Sequence, residues 1–349
     1  MGRFSSSLLV SAILALPLAG CGFIQGLIGG GGAEGFAAGE AALKAGDLPG
    51  AVVAWEENAA ANPTDVDAAT GAAFAALLKG DAAAADAALA AAEEGAGERV
   101  AEVKLRRALV ALRAGQLDAA RTHGEASGRP EGKLIAAEVL LADGERDQAK
   151  ALLEAVAGAG GALGATAQGY LDLMSAADPA VVGLSEATAL WALGERKVAV
   201  RSAEELVKSL PDEQANRGEL LLVWAGRAAS VGETEVARGM IDALTFAPDG
   251  QQWRKLATLA IVSCAEGDGA ACSKQLKALE GQAPSDGLAD ARATAAFLLA
   301  AKDADAAREI AGSTQSYAAA RALLEAGDVA AAASASPAGA FAEFLKAGG

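Results

Sequence analysis

The sequence of 349 residues is short of most of what chemical sites are built from. It holds one histidine, His123, and three cysteines, Cys21, Cys264 and Cys272. One histidine and so few thiols do not make a zinc site of the usual kind without carboxylates. No Gly-x-Ser-x-Gly elbow accompanies His123, which sits in HGEASGRP near a helix end and reads as a structural position. Aromatic residues are 4% of the chain, and strand-type runs of Val, Ile, Thr and aromatics are missing, which argues against a sheet. No Lys/Arg cluster of the nucleic-acid kind is present, and a formal net charge of −16 with pI near 4.6 repels phosphate backbones. The glycine runs at Gly29–Gly32 and Gly158–Gly164 lack the Lys and Ser/Thr, or the preceding strand, of a phosphate loop, and read as linkers. Carboxylates are plentiful, but none stands out: Glu204 and Lys208, four apart, read as ordinary helix support. The chain is expected to be no enzyme, to carry no cofactor or metal, and to bind no nucleic acid.

What is present is alanine. Hydrophobic residues make up 52% and mean hydropathy is +0.26, with small side chains supplying most of it. Alanine is the best helix former and buries little area per residue. The expected fold class is all-α, with helices packed closely. The acidic balance keeps such an alanine-rich surface soluble.

The first twenty residues read as a targeting segment rather than part of the fold. Arg3 supplies the positive start and Leu8 to Leu18 an apolar stretch too short to span a bilayer stably. Leu18-Ala19-Gly20-Cys21 follows. It resembles a bacterial lipobox, which implies cleavage after residue 20 and lipidation (palmitate among the acyl chains) of Cys21. By the same resemblance Gly22, where inner-membrane retention takes Asp, implies the outer membrane, with the chain facing the periplasm. Multiple acyl chains are ample for stable anchoring. Residues 21–35 then form a lipidated cysteine and Gly-rich tether, whose Phe23, Ile24, Leu27 and Ile28 are open to a second reading as a turn touching lipid.

From residue 36 a period emerges. Gly46, Gly80, Gly115, Gly144, Gly194, Gly232 and Gly267 mark turns, Lys302 stands at an eighth and Gly327 at a shortened last one, with spacings of 34, 35, 29, 50, 38, 35, 35 and 25. Five residues after most marks comes alanine: Ala51, Ala85, Ala120, Ala149, Ala199, Ala237, Ala307 and Ala332. A larger apolar residue often follows four later, as in Trp55, Leu89, Leu153 and Ile241. In LKAGDLPGAVVAWEENAAANP, Gly46 ends one helix, Asp47 and Pro49 open the next, and Asn62-Pro63 closes it. This pattern resembles the tetratricopeptide repeat, with Gly39, Gly46, Asp47, Ala51, Trp55 and Pro63 on its positions and Gly35 and Ala42 departing from them. The resemblance implies an α-solenoid of antiparallel helix pairs. A first block spans 36–157 and a second 179–335. Between them, 158–178 reads as an irregular joint, a Gly-rich loop followed by a short helix near Ala165–Ala176. Residues 336–349, with Phe341, Phe344 and Leu345 on one face, read as a capping helix or, alternatively, a docking one.

Cys264 and Cys272 flank the turn AEGDGAA. With Cys21 consumed by lipid they are an even pair in an oxidising compartment, open to a disulfide, to two buried thiols or to a redox or metal role. A repeat solenoid offers a concave face for a protein or peptide. Phe36, Phe74, Leu105, Leu134 and Trp191 on the first helices are candidates to line it, or to pack the core. The expectation is a membrane-anchored scaffold for an envelope complex. A non-binding spacer is the alternative, and a cell-wall lytic enzyme on a solenoid support has no contiguous stretch left for its catalytic domain.

Overall fold

The computed structural model describes residues 34–44, 47–212, 214, 216–245, 250–312, 314, 319–320, 322–323 and 329–335. Cys21, Gly46, Gly327 and the capping segment 336–349 lie outside the described residues. Within them the chain is all-helical, without a strand. The helices form two compact units: unit 1 runs to Ala177 and includes Thr188–Gly194, and unit 2 comprises Asp178–Ala187 and the chain from Glu195 on.

Unit 1 is built from helical hairpins: α1 (Glu34–Lys44) with α2 (Leu48–Ala61), α3 (Val66–Leu78) with α4 (Ala82–Glu93), α5 (Val100–Arg113) with α6 (Leu117–Ser127), and α7 (Pro130–Ala142) with α8 (Arg146–Ala157). A lone helix, α9 (Gly161–Met174), follows. The next helix is α10 (Pro179–Ala192). In unit 2, α11 (Arg196–Ser209) precedes the hairpins α12 (Arg217–Ser230) with α13 (Thr234–Asp242), α14 (Gln252–Glu266) with α15 (Gly269–Ala278), and α16 (Ser285–Leu299) with α17 (Ala304–Ala311). A short helix, α18 (Val329–Ala335), comes last among the described residues.

The turns inside the hairpins share one hydrogen-bond pattern. Gly80, Gly115, Gly144, Gly232 and Gly267 all adopt left-handed φ, between 71° and 90°. In each, the glycine N–H donates three residues back and the following N–H five residues back, for example Gly80 to Leu77 O (3.0 Å) and Asp81 to Ala76 O (2.9 Å). That is the Schellman closure, which a residue with a Cβ enters only at a cost. Lys302 departs from it. No non-glycine residue among those described has positive φ, so Asp303 N–H reaches only four back, to Leu299 O, at 2.8 Å. The Lys302 Nζ donates instead to Ala265 O at the end of the preceding first helix.

After the turn, sequence chemistry decides the cap. Asp47, Asp81, Asp268 and Asp303 each accept from the backbone N–H three residues on, at 2.8–3.0 Å. Gln116, Glu145, Glu195 and Glu233 hold the same position without a side-chain cap bond. Five residues past the turn mark the side chain is sealed: Ala51, Ala85, Ala120, Ala149, Ala199 and Ala237 are 0% exposed. A small side chain at this position lets neighbouring helices approach closely.

Two close crossings locate the core of unit 1. The Trp55 indole, 1% exposed, packs between two first helices; a Cβ on Gly39 would fall 2.2 Å from its Nε1, and one on Gly71 would fall 2.7 Å from its Cδ1. Its Nε1 donates to Phe36 O at 3.2 Å, and Phe74 meets it edge-on at 4.9 Å between centroids. In the third hairpin the corresponding larger residue is replaced by Gly124, and α6 meets α7 backbone to backbone: a Cβ on either Gly124 or Gly132 would fall 2.5 Å from the other's carbonyl oxygen.

The joint differs from its sequence expectation. The connection after α8 is only 158–160, and the helix starts at Gly161 rather than near Ala165. Gly164 is helical, not part of a loop: a Cβ there would approach Ala157 O to 3.0 Å, so this glycine serves close packing rather than flexibility. The whole of α9 counts with unit 1.

Candidate binding face on the first helices

The five apolar residues considered as groove lining are mostly engaged in packing. Phe36 on α1 and Phe74 on α3 are buried against Trp55. Leu134 on α7 joins the cluster of Leu140, Leu153 and Tyr170. Leu105 on α5 is half-buried against Ala108, Ala111, Ala120 and Ile135. Trp191 on α10 is buried. Large exposed apolar side chains among the described residues are few, Val53 on α2 and Val198 on α11.

Besides that apolar core, the first helices carry a set of polar residues. In unit 1, Asp67 and Thr70 on α3 face Arg99, Glu102 and Arg106 around α5. Arg99 holds Asp67 bidentately at 2.7 and 3.0 Å and also donates to Glu102 at 3.0 Å. Arg106, 4% exposed, donates from Nη1 to Thr70 Oγ1 at 2.7 Å and pairs with Glu102. Hydrogen bonds to Asp67 and then Glu102 raise the Arg99 pKa. The bond from Arg99 is the main reason Glu102 is lowered, and burial lowers Arg106. Opposite charges alternate, so the seam is compensated within itself.

In unit 2 the equivalent face carries Glu219 on α12 and Arg254 on α14. Burial raises Glu219 while Arg254 opposes it, and burial lowers Arg254 while Glu219 opposes that. Arg254 also donates to Gln251 Oε1 at 2.7 Å. On the same helices Arg227 lies 4.2 Å over the Trp224 ring, and the Trp253 indole covers Gly287, where a Cβ would fall 2.5 Å from its Cη2.

His123 is half-buried on α6; burial and then Arg107 push its pKa down, against Asp86 and Glu93. Among the described residues no group of three or more His, Cys, Asp or Glu is placed to hold a metal ion. Cys264 and Cys272 sit at the ends of the α14–α15 turn with Cα atoms 5.3 Å apart and sulfurs at bonding distance. Cys272 occupies the sealed position that alanine takes in the other hairpins, and Cys264 the place of Leu77 or Leu141. The sequence reading did not single out Arg106, Thr70, Glu138 or Tyr170. Their signal was available: an isolated charge in an apolar run, as in LIAAEVLLA, is costly unless it has a partner.

No protein-family model matches the chain, and a comparison with curated proteins finds no matching relative. Among the described residues no helix is long and apolar enough to cross a membrane.

Proposed function

We propose that this chain is a lipid-anchored envelope scaffold, a tetratricopeptide-like solenoid that holds a protein or peptide partner in assembling or maintaining an outer-membrane complex. The observation that carries the reading is the repetition of one turn: five hairpins close with the same Schellman geometry, and the alanine five residues on is sealed wherever it occurs in them. Stacked equivalent hairpins bury their apolar faces against one another and leave a continuous surface for partners. The lipobox-like Leu18-Ala19-Gly20-Cys21 supports anchoring through Cys21. An oxidising compartment agrees with the apposed Cys264 and Cys272.

One observation favours the second reading, a structural spacer. The first-helix face of unit 1 is neutralised internally by Asp67, Arg99, Glu102 and Arg106, and the groove candidates face inward. Cross-linking in intact envelopes separates the two. A photo-reactive residue at Glu102 or Arg254 that captures one defined partner supports the scaffold. Cross-links confined to the chain itself overturn it in favour of the spacer. Metabolic labelling with an alkynyl fatty acid tests the anchor: label on the wild type and none on Cys21→Ala is expected, and an unlabelled wild type rejects it.

A further inference from the structure

Helix α7 is enclosed over most of its length. Every residue from Leu134 to Leu141 is buried, and Glu138 is the one charged side chain among them. Glu138 Oε1 accepts a hydrogen bond from Tyr170 Oη at 3.0 Å. Tyr170, itself buried, belongs to α9, which rests chiefly on α8 and to a lesser extent on α7. The cluster that holds Leu134, Leu140 and Tyr170 also takes in Ala189 from the next helix, α10. The contact joins α7 to a helix that touches it far less than α6 and α8 do.

A carboxyl in such surroundings is favoured in its neutral form, because the ionised form gives up hydration for a single phenol bond. We propose that the buried Glu138 carboxyl is a proton-operated latch: protonated, it lets α9 stay closed on α7, and ionised, it opens that contact to water, against the Tyr170 hydrogen bond, which the ionised form accepts more strongly. Burial pushes the Glu138 carboxyl up to about 7, and the Tyr170 hydrogen bond opposes that rise. Tyr170 is the titratable group that faces it. Among the described residues no charged side chain, on α5, α6, α8 or α10, bears on its titration. The folded value is raised, so the latch is at full strength below about pH 4.5, the unfolded value, and weakens as pH rises. It is lost once the pH passes about 7, beyond which both forms are ionised and the dependence levels off.

Hydrogen exchange on the full chain tests this, with protection factors corrected for intrinsic rates. Across that window the wild-type peptide covering 161–174 is expected to lose protection by up to tenfold per pH unit, on the order of a hundredfold in all. Glu138→Gln keeps the size and the acceptor but has no proton to lose, and should remove that slope while leaving the peptide covering 66–78 unchanged. Tyr170→Phe keeps the buried carboxyl and removes the bond that favours ionisation, so its window should extend to higher pH. An equal slope in wild type and Glu138→Gln, or an unshifted window in Tyr170→Phe, overturns the proposal.

Discussion

The two units use the same hairpin and stack it differently. In unit 1 the main contact between hairpins runs from the second helix of one to the first helix of the next, as α6 on α7 and α8 on α9. In unit 2 first helix lies on first helix, α12 on α14 and α14 on α16. The connections supply part of the reason. Unit 1 joins its hairpins through 62–65, 94–99, 128–129 and 158–160, whereas unit 2 uses 210–216, 243–251 and 279–284. A very short link leaves the next helix no position but antiparallel beside its predecessor; a longer one permits the first helices to come together without imposing it. The second helices shorten accordingly, from 11–14 residues in unit 1 to 9, 10 and 8 in α13, α15 and α17. Connections of two to four residues all go with the unit 1 mode and that of nine, 243–251, with the unit 2 mode, while six residues serve both, at 94–99 and 279–284, so length biases the stacking mode without fixing it.

The largest expected effect breaks the comparison at its tryptophans. Trp55 is enclosed by Gly39, Gly71, Phe36 and Phe74, while Trp253 covers Gly287 with part of its surface in solvent. Trp55→Ala should cost about 3–5 kcal/mol, as for a fully buried aromatic that leaves a cavity. Trp253→Ala should cost about 1–2 kcal/mol, in proportion to its smaller buried area. Urea denaturation of both variants measures this, and equal losses would mean that the two indoles do equivalent work. Next in size is the α14–α15 turn. Cys264→Ala with Cys272→Ala should lower stability by about 2–3 kcal/mol if the pair is bridged, since so small a closed loop carries about that much chain entropy. Non-reducing alkylation read by mass spectrometry checks the bridge directly, because two modified cysteines in the unreduced protein would contradict it.

A smaller effect tests the connection argument itself. Three glycines inserted between Gly128 and Arg129 should cost about 1–2 kcal/mol, because the backbone contact of Gly124 with Gly132 depends on that two-residue link. The same insertion within 279–284 should cost under about 0.5 kcal/mol, since a longer loop grows more expensive only slowly. Thermal melts of the two insertion variants are the comparison, and indifference at both sites would remove connection length as the cause.

Much of this was legible in the residues. Helix-breaking glycine and the alanine five residues on mark the turn and the sealed position that the structure places there. What was not legible is direction. Phe36 and Phe74 are apolar on a first helix whether they face a groove or Trp55, and the periodicity is the same in both cases. Glycine is ambiguous for a similar reason: AGAGGALG reads as a Gly-rich loop, while Gly164 is there to let α9 approach Ala157 O. The buried seam was hidden by sequence distance. Asp67 and Arg99 are 32 residues apart, and nothing local announces that they meet.

The smallest effect concerns the residue after the turn glycine. Asp there reaches the N–H three residues on; Gln116 and Glu145 are each one methylene longer and make no cap bond. The longer side chain carries its oxygen past the position where that N–H points, and it gives up more rotamer freedom to hold still. Gln116→Asp therefore places an acceptor within reach and adds a negative charge at the positive end of α6. Both effects act in the same direction, so the substitution should stabilise the hairpin by about 0.5–1 kcal/mol. Asp81→Gln, the reverse change in the neighbouring hairpin, should cost a similar amount. Chemical denaturation of the pair decides it: gains and losses of opposite sign place the difference in cap geometry, whereas two losses would mean that the α5–α6 turn is matched to glutamine by a contact outside the cap.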